Sequence, residues 1–198
     1  MKLIGIFTAL CALSVLSGCT ALQHIDYYTA GAEPYRALTD EDVHSSECRI
    51  TFGDEVTVCG QGAWLTGREI QISEGGVYII TGSCDDSSIN VKTDDAVKLV
   101  FNSADITNPN GCVVTSSSDR LVIACDSGSS TLTGSGGEYD TAVCSDGLVL
   151  FSGSGSLTLD GGVFSADTIR FAPSVSTFCE IYGTNPGELI KGVLNINR

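Results

Sequence analysis

From Arg49 onward the apolar residues occur in short stretches where they alternate with polar residues, and turns rich in Gly, Asp, Ser and Asn separate the stretches. Alternation with a period of two is typical of β-strands that bury one face. Hardly any segment shows the period of about 3.6 residues that marks an amphipathic helix. The pattern predicts an all-β domain over residues 48–198.

The strands also repeat along the chain. Residues 119–123 (DRLVI) align with residues 146–150 (DGLVL) at a constant shift of 27, and weaker copies begin at Asp95 and Asp167. A period of about 21 to 27 residues is typical of a solenoid, in which each copy stacks on the next. We expect a right-handed parallel β-helix of about four to five coils. A β-sandwich, which does not require a repeated register, is the alternative.

The aligned copies predict which side chains face the core, because side chains alternate along a strand. Two columns are wholly apolar and should point inward: Val97, Leu121, Leu148 and Ile169, and next Leu99, Ile123, Leu150 and Phe171. The column between them holds two long cations and should face solvent: Lys98, Val122, Val149 and Arg170.

The N-terminus has the three parts of an export signal: a basic start at Lys2, an apolar run over residues 3–16, and the small residues Ser17 and Gly18. Together with Cys19 this ending resembles the bacterial lipobox, whose cysteine is acylated and becomes the mature N-terminus. An ordinary signal peptide with an incidental cysteine is the alternative. We expect residues 1–18 to be removed, Cys19 to be lipidated, and residues 19–47 to be a flexible tether. The protein would then be extracytoplasmic, anchored to the cell membrane or to the outer membrane and cell surface.

The composition limits the partners. The formal net charge is −14, from 24 acidic against 10 basic residues, so nucleic acid is an unfavourable partner. The 42% hydrophobic residues and 23 glycines separate the chain from disordered acidic tails. Both histidines, His24 and His44, lie in the predicted tether, which argues against a His-based active site.

Seven cysteines follow the anchor, and complete intramolecular pairing is impossible because seven is odd. No spacing matches a zinc finger, so we expect most of these thiols to pack as small apolar side chains. One or two disulfides, such as Cys48 to Cys59, are the alternative in an oxidising compartment.

Residues 50–101 closely resemble the start of the carbohydrate-binding β-helix lipoproteins, a pectate-lyase-like family of surface proteins. The shared features are I-x-I-x-x-x-G-x-Y-x-I-x-G from Ile70 to Gly82, an I-x-V strand at Ile89, V-x-L-V-x-N-x-x-x-I-T from Val97, and G-x-G-x-L-T-L from Gly153. The similarity continues to about Gly183. The resemblance implies a calcium-associated β-helix that binds cellulose-like and acidic plant polysaccharides without catalysis. The chain departs from the family in having no Asp-rich D-x-D-G loop, so any site carried by such loops is not expected here.

Four aspartates occupy the same turn of successive copies: Asp95, Asp119, Asp146 and Asp167. Stacked at about 4.8 Å, their carboxylates would repel one another by roughly 0.9 kcal/mol per adjacent pair in water, which invites a counterion. Calcium binds several carboxylate, carbonyl and water oxygens and suits such a column. The alternative is that each aspartate only forms the turn of its copy.

Sugar rings lie on aromatic faces while their hydroxyls take polar partners. The predicted platforms are Trp64, Tyr78, Tyr139 and Phe151. Tyr182 is a further candidate.

A pectate-lyase activity would require a cation that removes a proton from a uronate, for which Lys98, Arg120 and Arg170 are available. We instead expect a surface lipoprotein that binds polysaccharide without a catalytic step, with calcium as the cofactor that the resemblance implies. A structural or adhesive protein with a protein partner and a calcium-dependent lyase are the alternatives. An uncovered last coil, from Glu188 to Arg198, would favour self-association.

Overall fold

A computed structural model describes residues 47–136, 140–172, 175–177, 179–184 and 187–197. All regular structure in these ranges is β, which confirms the predicted all-β class. Among the described residues, no helix is long and apolar enough to span a membrane. The nineteen strands are β1 (Cys48–Phe52), β2 (Thr57–Cys59), β3 (Ala63–Thr66), β4 (Glu69–Ile72), β5 (Gly76–Cys84), β6 (Ser88–Val91), β7 (Val97–Asn108), β8 (Val114–Ser116), β9 (Arg120–Cys125), β10 (Ser129–Gly134), β11 (Val143–Ser145), β12 (Leu148–Gly153), β13 (Ser156–Asp160), β14 (Gly162–Ser165), β15 (Ile169–Phe171), β16 (Ser176–Thr177), β17 (Tyr182–Gly183), β18 (Glu188–Lys191) and β19 (Leu194–Asn197).

The first sheet has eleven strands and contains two parallel series. One runs β1, β5, β7, β9, β12 and β15, and the other runs from the second half of β7 through β10 to β13. The long strand β7 belongs to both series, because Val97–Val100 pair with β9 whereas Asp105–Asn108 pair with β10. Between the two halves Ser103 has a φ of +54°, and the register with β5 shifts between Ile80 and Gly82.

The second sheet has eight strands, of which β4, β6, β8, β11 and β14 pair in parallel. Antiparallel strands close both of its ends: β3 pairs with β4, and β18 pairs with β14 and then with β17. In the first sheet β19 likewise covers β13. The C-terminal segment, for which the sequence left open whether the last coil is covered, forms β18 and β19, which cover β14 and β13. The strands beyond them, β16 and β17, have two residues each.

Inward side chains of both sheets form one hydrophobic core, with Tyr78, Phe101, Phe151 and Phe171 among its largest fully buried members. The strand pairing corrects the predicted columns. The pairing of β9 with β12 has a shift of 28 residues, whereas the sequence alignment used a shift of 27. Val149 therefore pairs with Leu121, and Phe151 pairs with Ile123.

The corrected inward columns are Val97, Leu121, Val149 and Ile169, and Leu99, Ile123, Phe151 and Phe171. The outward column is Lys98, Val122, Leu150 and Arg170. The predictions for Leu148, Val149 and Leu150 were wrong, because a shift of one residue moves every side chain of a strand to the other face. The turn before β12 (residues 146–147) is one residue shorter than the turn before β9 (residues 117–119). In it Gly147 lies so close to the backbone of Ser118 that a Cβ would be 2.3 Å from the Ser118 carbonyl oxygen.

Candidate binding surface

Trp64 is the most exposed aromatic side chain among the described residues, with 49% of its surface accessible. It lies on edge strand β3, which is joined to β4 by a two-residue loop at Gly67 and Arg68. Gly67 has a φ of +65°, a conformation that glycine adopts without steric cost and that tight hairpin loops require. The Arg68 guanidinium contacts Asp86 at 3.2 Å, which ties the tip of the hairpin to the neighbouring turn.

One line of strand-paired residues crosses the whole second sheet and begins at Trp64. Each member is the register partner of the next: Trp64, Gln71, Asn90, Thr115, Cys144, Phe164, Leu189 and Tyr182. We call this line the outer row. With strands about 4.8 Å apart, the row is about 34 Å long, and the part from Trp64 to Thr115 covers about 14 Å.

The outer row faces away from the core. Ile70 and Ile72 flank Gln71 and belong to the core, and Ile89 and Val91 flank Asn90 in the same way. Val114, Val143, Val163 and Ile190 are the core residues next to the other members in β8, β11, β14 and β18. Since neighbouring side chains of a strand point to opposite faces, the members of the row point outward.

The middle of the outer row is polar. The Gln71 side chain lies directly across from Trp64 and is only 7% exposed, whereas Asn90 is half-buried and Thr115 is exposed. Two amides and a hydroxyl supply both donors and acceptors. An aromatic face beside such groups is the combination that a sugar requires, because its CH groups take the ring and its hydroxyls take the polar side chains.

The other end of the row carries the second exposed ring, Tyr182. The Lys191 ammonium lies 5.7 Å from the centre of this ring, within the range of a cation–π interaction. The Tyr182 hydroxyl donates a hydrogen bond to a Glu180 carboxylate oxygen, which raises the pKa of Tyr182. One face of this ring is thus engaged by a lysine of the same chain.

Two of the predicted platforms are not exposed. Tyr78 is 2% exposed, and its hydroxyl donates a hydrogen bond of 2.7 Å to the Glu74 carbonyl; burial, first of all, raises its pKa. Phe151 is fully buried and stacks on Phe171. Both predictions were wrong, because the strand register turns these rings into the core, where no ligand reaches their faces. Tyr139 and the lipidation candidate Cys19 lie outside the described residues.

The predicted column of four aspartates is not formed. Asp95 and Asp119 are neighbours, as the hydrogen bond from the Asp119 amide to the Asp94 carbonyl indicates. The Leu148 amide donates to the Asp119 carbonyl, so the place next to Asp119 in the following copy belongs to Gly147 and not to Asp146. Because this turn is one residue shorter than the turn that contains Asp119, Asp146 does not reach the column, and Asp167 is separated from Asp119 by Gly147.

All four aspartates are exposed. Within the described part of the chain no three His, Cys, Asp or Glu side chains come together as the ligands of a metal ion would. These carboxylates therefore do not fit the calcium site that the repeat predicted.

The candidate lyase cations also have structural partners. Lys98 lies 3.9 Å from Asp126, and Arg170 lies 3.5 Å from Glu188, whose carboxylate also accepts a hydrogen bond from the Ile169 amide. Val122 and Leu150 separate the two cations in the outward column. Arg120 lies two residues before Val122 in β9, so its side chain points to the same outward face. Its side chain also interacts with another group of the protein. These contacts give no support for a catalytic cation that would act on a uronate.

The described structure combines an all-β fold with an exposed aromatic ring that lies next to a row of polar side chains. This combination is typical of a carbohydrate-binding module. A family model described as "Carbohydrate-binding domain-containing protein" matches residues 66–176, more than half of the chain. The chain belongs to this family of carbohydrate-binding domain-containing proteins. The match covers Gln71, Asn90 and Thr115 and begins just after Trp64. No curated protein and no solved structure is detectably similar to the chain.

Proposed function

We propose that this protein binds polysaccharide through the outer row, without a catalytic step, as a lipid-anchored protein outside the cytoplasm. The observation that carries the proposal is the pairing of exposed Trp64 with Gln71, continued in register by Asn90 and Thr115. Membership of a carbohydrate-binding family supports the class of ligand. Trp64 takes a sugar ring on its face, and the three polar side chains bind hydroxyls of successive sugars.

The fold in this proposal is a parallel β-helix, with the two series of the first sheet and the parallel strands of the second sheet as its three faces. Equal register from strand to strand supports it, since Val114, Val143 and Val163 are partners in neighbouring strands. Such stacking aligns the outer row along the long direction of the molecule. A linear glycan lying along this direction would meet one binding group on each of the strands β3, β4, β6 and β8.

The charge of the chain favours an uncharged glycan, such as a cellulose-like chain, over a uronic-acid polymer. The formal net charge is −14, and a polyanion approaching this protein would be repelled unless cations bridge the two. The described carboxylates do not gather into such a bridge. Calcium-dependent binding of acidic glycans stays a prediction, which a chelator tests directly.

Binding of cellulose oligosaccharides and of polygalacturonate to the full chain should be measured by calorimetry, with and without chelator. We expect affinity for the neutral glycan that the chelator leaves unchanged. Trp64→Ala should weaken it at least about tenfold, the size of a central aromatic contact. Val193→Ala, which removes another exposed apolar side chain away from the row, is the matched control and should bind like the wild type.

Five outcomes would each contradict a part of the proposal. Absence of binding to every glycan would overturn the function. Equal binding by wild type, Trp64→Ala and Asn90→Ala would overturn the outer row as the site. Loss of binding in chelator would restore the calcium prediction. Release of unsaturated products from polygalacturonate, followed by ultraviolet absorbance, would contradict a purely binding role, and failure of Cys19→Ala to abolish fatty-acid incorporation would contradict the anchor.

A further inference from the structure

Gln71 is the most buried of the three polar side chains in the outer row. It is 7% exposed, whereas Asn90 is half-buried and Thr115 is exposed. Trp64 is its register partner in β3, and Asn90 is its register partner in β6. The Gln71 side chain therefore lies between an exposed aromatic ring and a second amide, on the outward face of the sheet.

The Gln71 amide has no hydrogen-bond partner among the described residues. Within that part of the chain, Ser145 Oγ is the one side-chain polar atom that is both fully enclosed and unpaired, so the amide of Gln71 stays within reach of a ligand. An unpaired amide that water reaches poorly is unfavourable, and a ligand that pairs it removes this cost. The unpaired amide beside an exposed ring thus points to a bound group with hydroxyls.

An amide can recognise two neighbouring hydroxyls of one sugar at the same time. Its carbonyl oxygen accepts a hydrogen bond from one hydroxyl, and its NH2 group donates to the oxygen of the next. A sugar ring that lies on Trp64 brings its edge, which carries the hydroxyls, to the adjacent strand, where Gln71 is the residue directly across. The ring and the amide therefore act on the same sugar.

Burial decides which polar side chain discriminates between ligands. Where a hydroxyl of the ligand is missing or capped, water can replace it at exposed Thr115, so little affinity is lost. At Gln71 water replaces it poorly, and the amide stays unpaired. A site that is built to hydrogen-bond a hydroxyl rejects an analogue without it far more strongly than a site that only packs against it.

We propose that Gln71 determines the specificity of the outer row, because it requires a sugar with two free neighbouring hydroxyls. This inference rests on the proposed glycan-binding function and names the class of glycan that the site accepts. Acetyl esters on these hydroxyls exclude a glycan, since an ester removes the O–H donor and holds the ring away from the amide. The accepted form is the product of ester hydrolysis, in which water cleaves the ester, restores the hydroxyl and releases acetate.

The test compares one glycan in two forms: partially O-acetylated cellohexaose, and the same sample after alkali has removed the esters. Calorimetry with the full chain measures both affinities. We expect the wild type to bind the deacetylated form at least about tenfold more tightly. Gln71→Met keeps the length of the side chain but removes the amide. It should bind the deacetylated form at least about tenfold more weakly than the wild type and should bind both forms with similar affinity.

Thr115→Val is the matched control, because it removes an exposed hydroxyl with little change of shape. It should keep the preference for the deacetylated form. Trp64→Ala should weaken both forms by a similar factor and so preserve the preference. Thermal unfolding checks that each variant is folded, and the comparison of the two forms with the wild type needs no variant.

The outcomes separate this inference from the proposed function. Binding of neither form by the wild type would overturn the function together with the inference. Equal binding of both forms by the wild type would overturn the inference alone. So would a folded Gln71→Met variant that keeps the wild-type affinity and preference, since glycan binding would then stand without a role for this amide.

Discussion

The ring of Phe151 stacks on the ring of Phe171, with their centroids 5.4 Å apart and their planes inclined by 23°. The two rings belong to paired strands β12 and β15, and both are buried in the core. The contact therefore depends on the strand register that points Phe151 into the core. A variant that removes the Phe151 ring tests this register.

Replacement of Phe151 by alanine should lower the free energy of unfolding by about 3–5 kcal/mol, because it removes a buried ring and leaves a cavity against Phe171. Val193→Ala is the control for shortening a side chain that is 56% exposed, and we expect a change within about 0.5 kcal/mol. Denaturation by urea, followed by circular dichroism, gives both values. A loss below about 1 kcal/mol for Phe151→Ala would mean that this ring is not part of the core.

Gly147 should be far less tolerant of alanine than Gly183. A Cβ on Gly147 would lie 2.3 Å from the Ser118 carbonyl oxygen, so the backbone of one of the two turns has to move. Nothing lies within 4 Å of a Cβ on Gly183, which makes that variant the matched control. We expect a loss of about 1–3 kcal/mol for Gly147→Ala and little change for Gly183→Ala in the same denaturation assay. Equal stability of the two variants would contradict the close packing of these turns.

Ser130 should matter through its hydroxyl. This buried oxygen accepts a 3.1 Å hydrogen bond from the Ala104 amide, at the bend of β7. Ser130→Ala leaves a buried amide without this acceptor and should cost about 1–3 kcal/mol. Exposed Ser129 is the control, since its replacement by alanine removes no buried partner. Amide hydrogen exchange of Ala104 is the local readout, and unchanged protection in Ser130→Ala would contradict the prediction.

Ser145 presents the opposite case. Its hydroxyl oxygen is buried, and no hydrogen-bond partner is found for it among the described residues. Burial of an unsatisfied hydroxyl is unfavourable, so Ser145→Ala should leave stability unchanged or raise it by about 1 kcal/mol. Ser165→Ala is the comparison, because the Ser165 hydroxyl donates to the Gly147 carbonyl at 2.8 Å and its loss should destabilise. Destabilisation of Ser145→Ala as large as that of Ser165→Ala would contradict this difference.

Tyr78 should make stability fall at alkaline pH. Burial, followed by the nearby Cys48 and Glu74, raises the pKa of Tyr78 above its ordinary value of 10.0. A raised pKa means that the unfolded chain loses this proton first, so the stabilising contribution is complete below pH 10.0 and is lost as the pH rises above it. Tyr78→Phe should show a weaker decline over this range, at a cost of about 1 kcal/mol at neutral pH for the hydrogen bond to Glu74. Identical alkaline profiles of the two proteins would contradict the assignment.

Much of the fold could be predicted from the alternation of apolar and polar residues. It indicated an all-β chain, and it placed Val97, Leu121, Leu99 and Ile123 correctly in the core. It failed at β12, because Asp146-Gly147-Leu148 matches Asp119-Arg120-Leu121 in letters while the turn before β12 contains one residue fewer than the turn before β9. Only the pairing of the strands on either side of the two turns shows this difference in length.

The site was predicted in part. Trp64 was a candidate because of its residue type, and the structure leaves it exposed. Gln71, Asn90 and Thr115 were missed, because the alternation in each strand marks them as outward but does not show that they are partners. Their numbers in the sequence have no common spacing. The signal would have been available from the I-x-I and I-x-V strands at Ile70 and Ile89, whose middle residues are both amides.

The sequence by itself determined the class of the fold and the acidic net charge, since these follow from composition and from local order. The export signal over residues 1–18 stays a prediction. Tertiary structure alone decided that Trp64 and Thr115 share one row and that Asp146 leaves its predicted column. The physical reason is the same in each case: lateral neighbours in a sheet are set by register between strands, and a difference of one residue in the length of a turn changes every partner that follows in that strand.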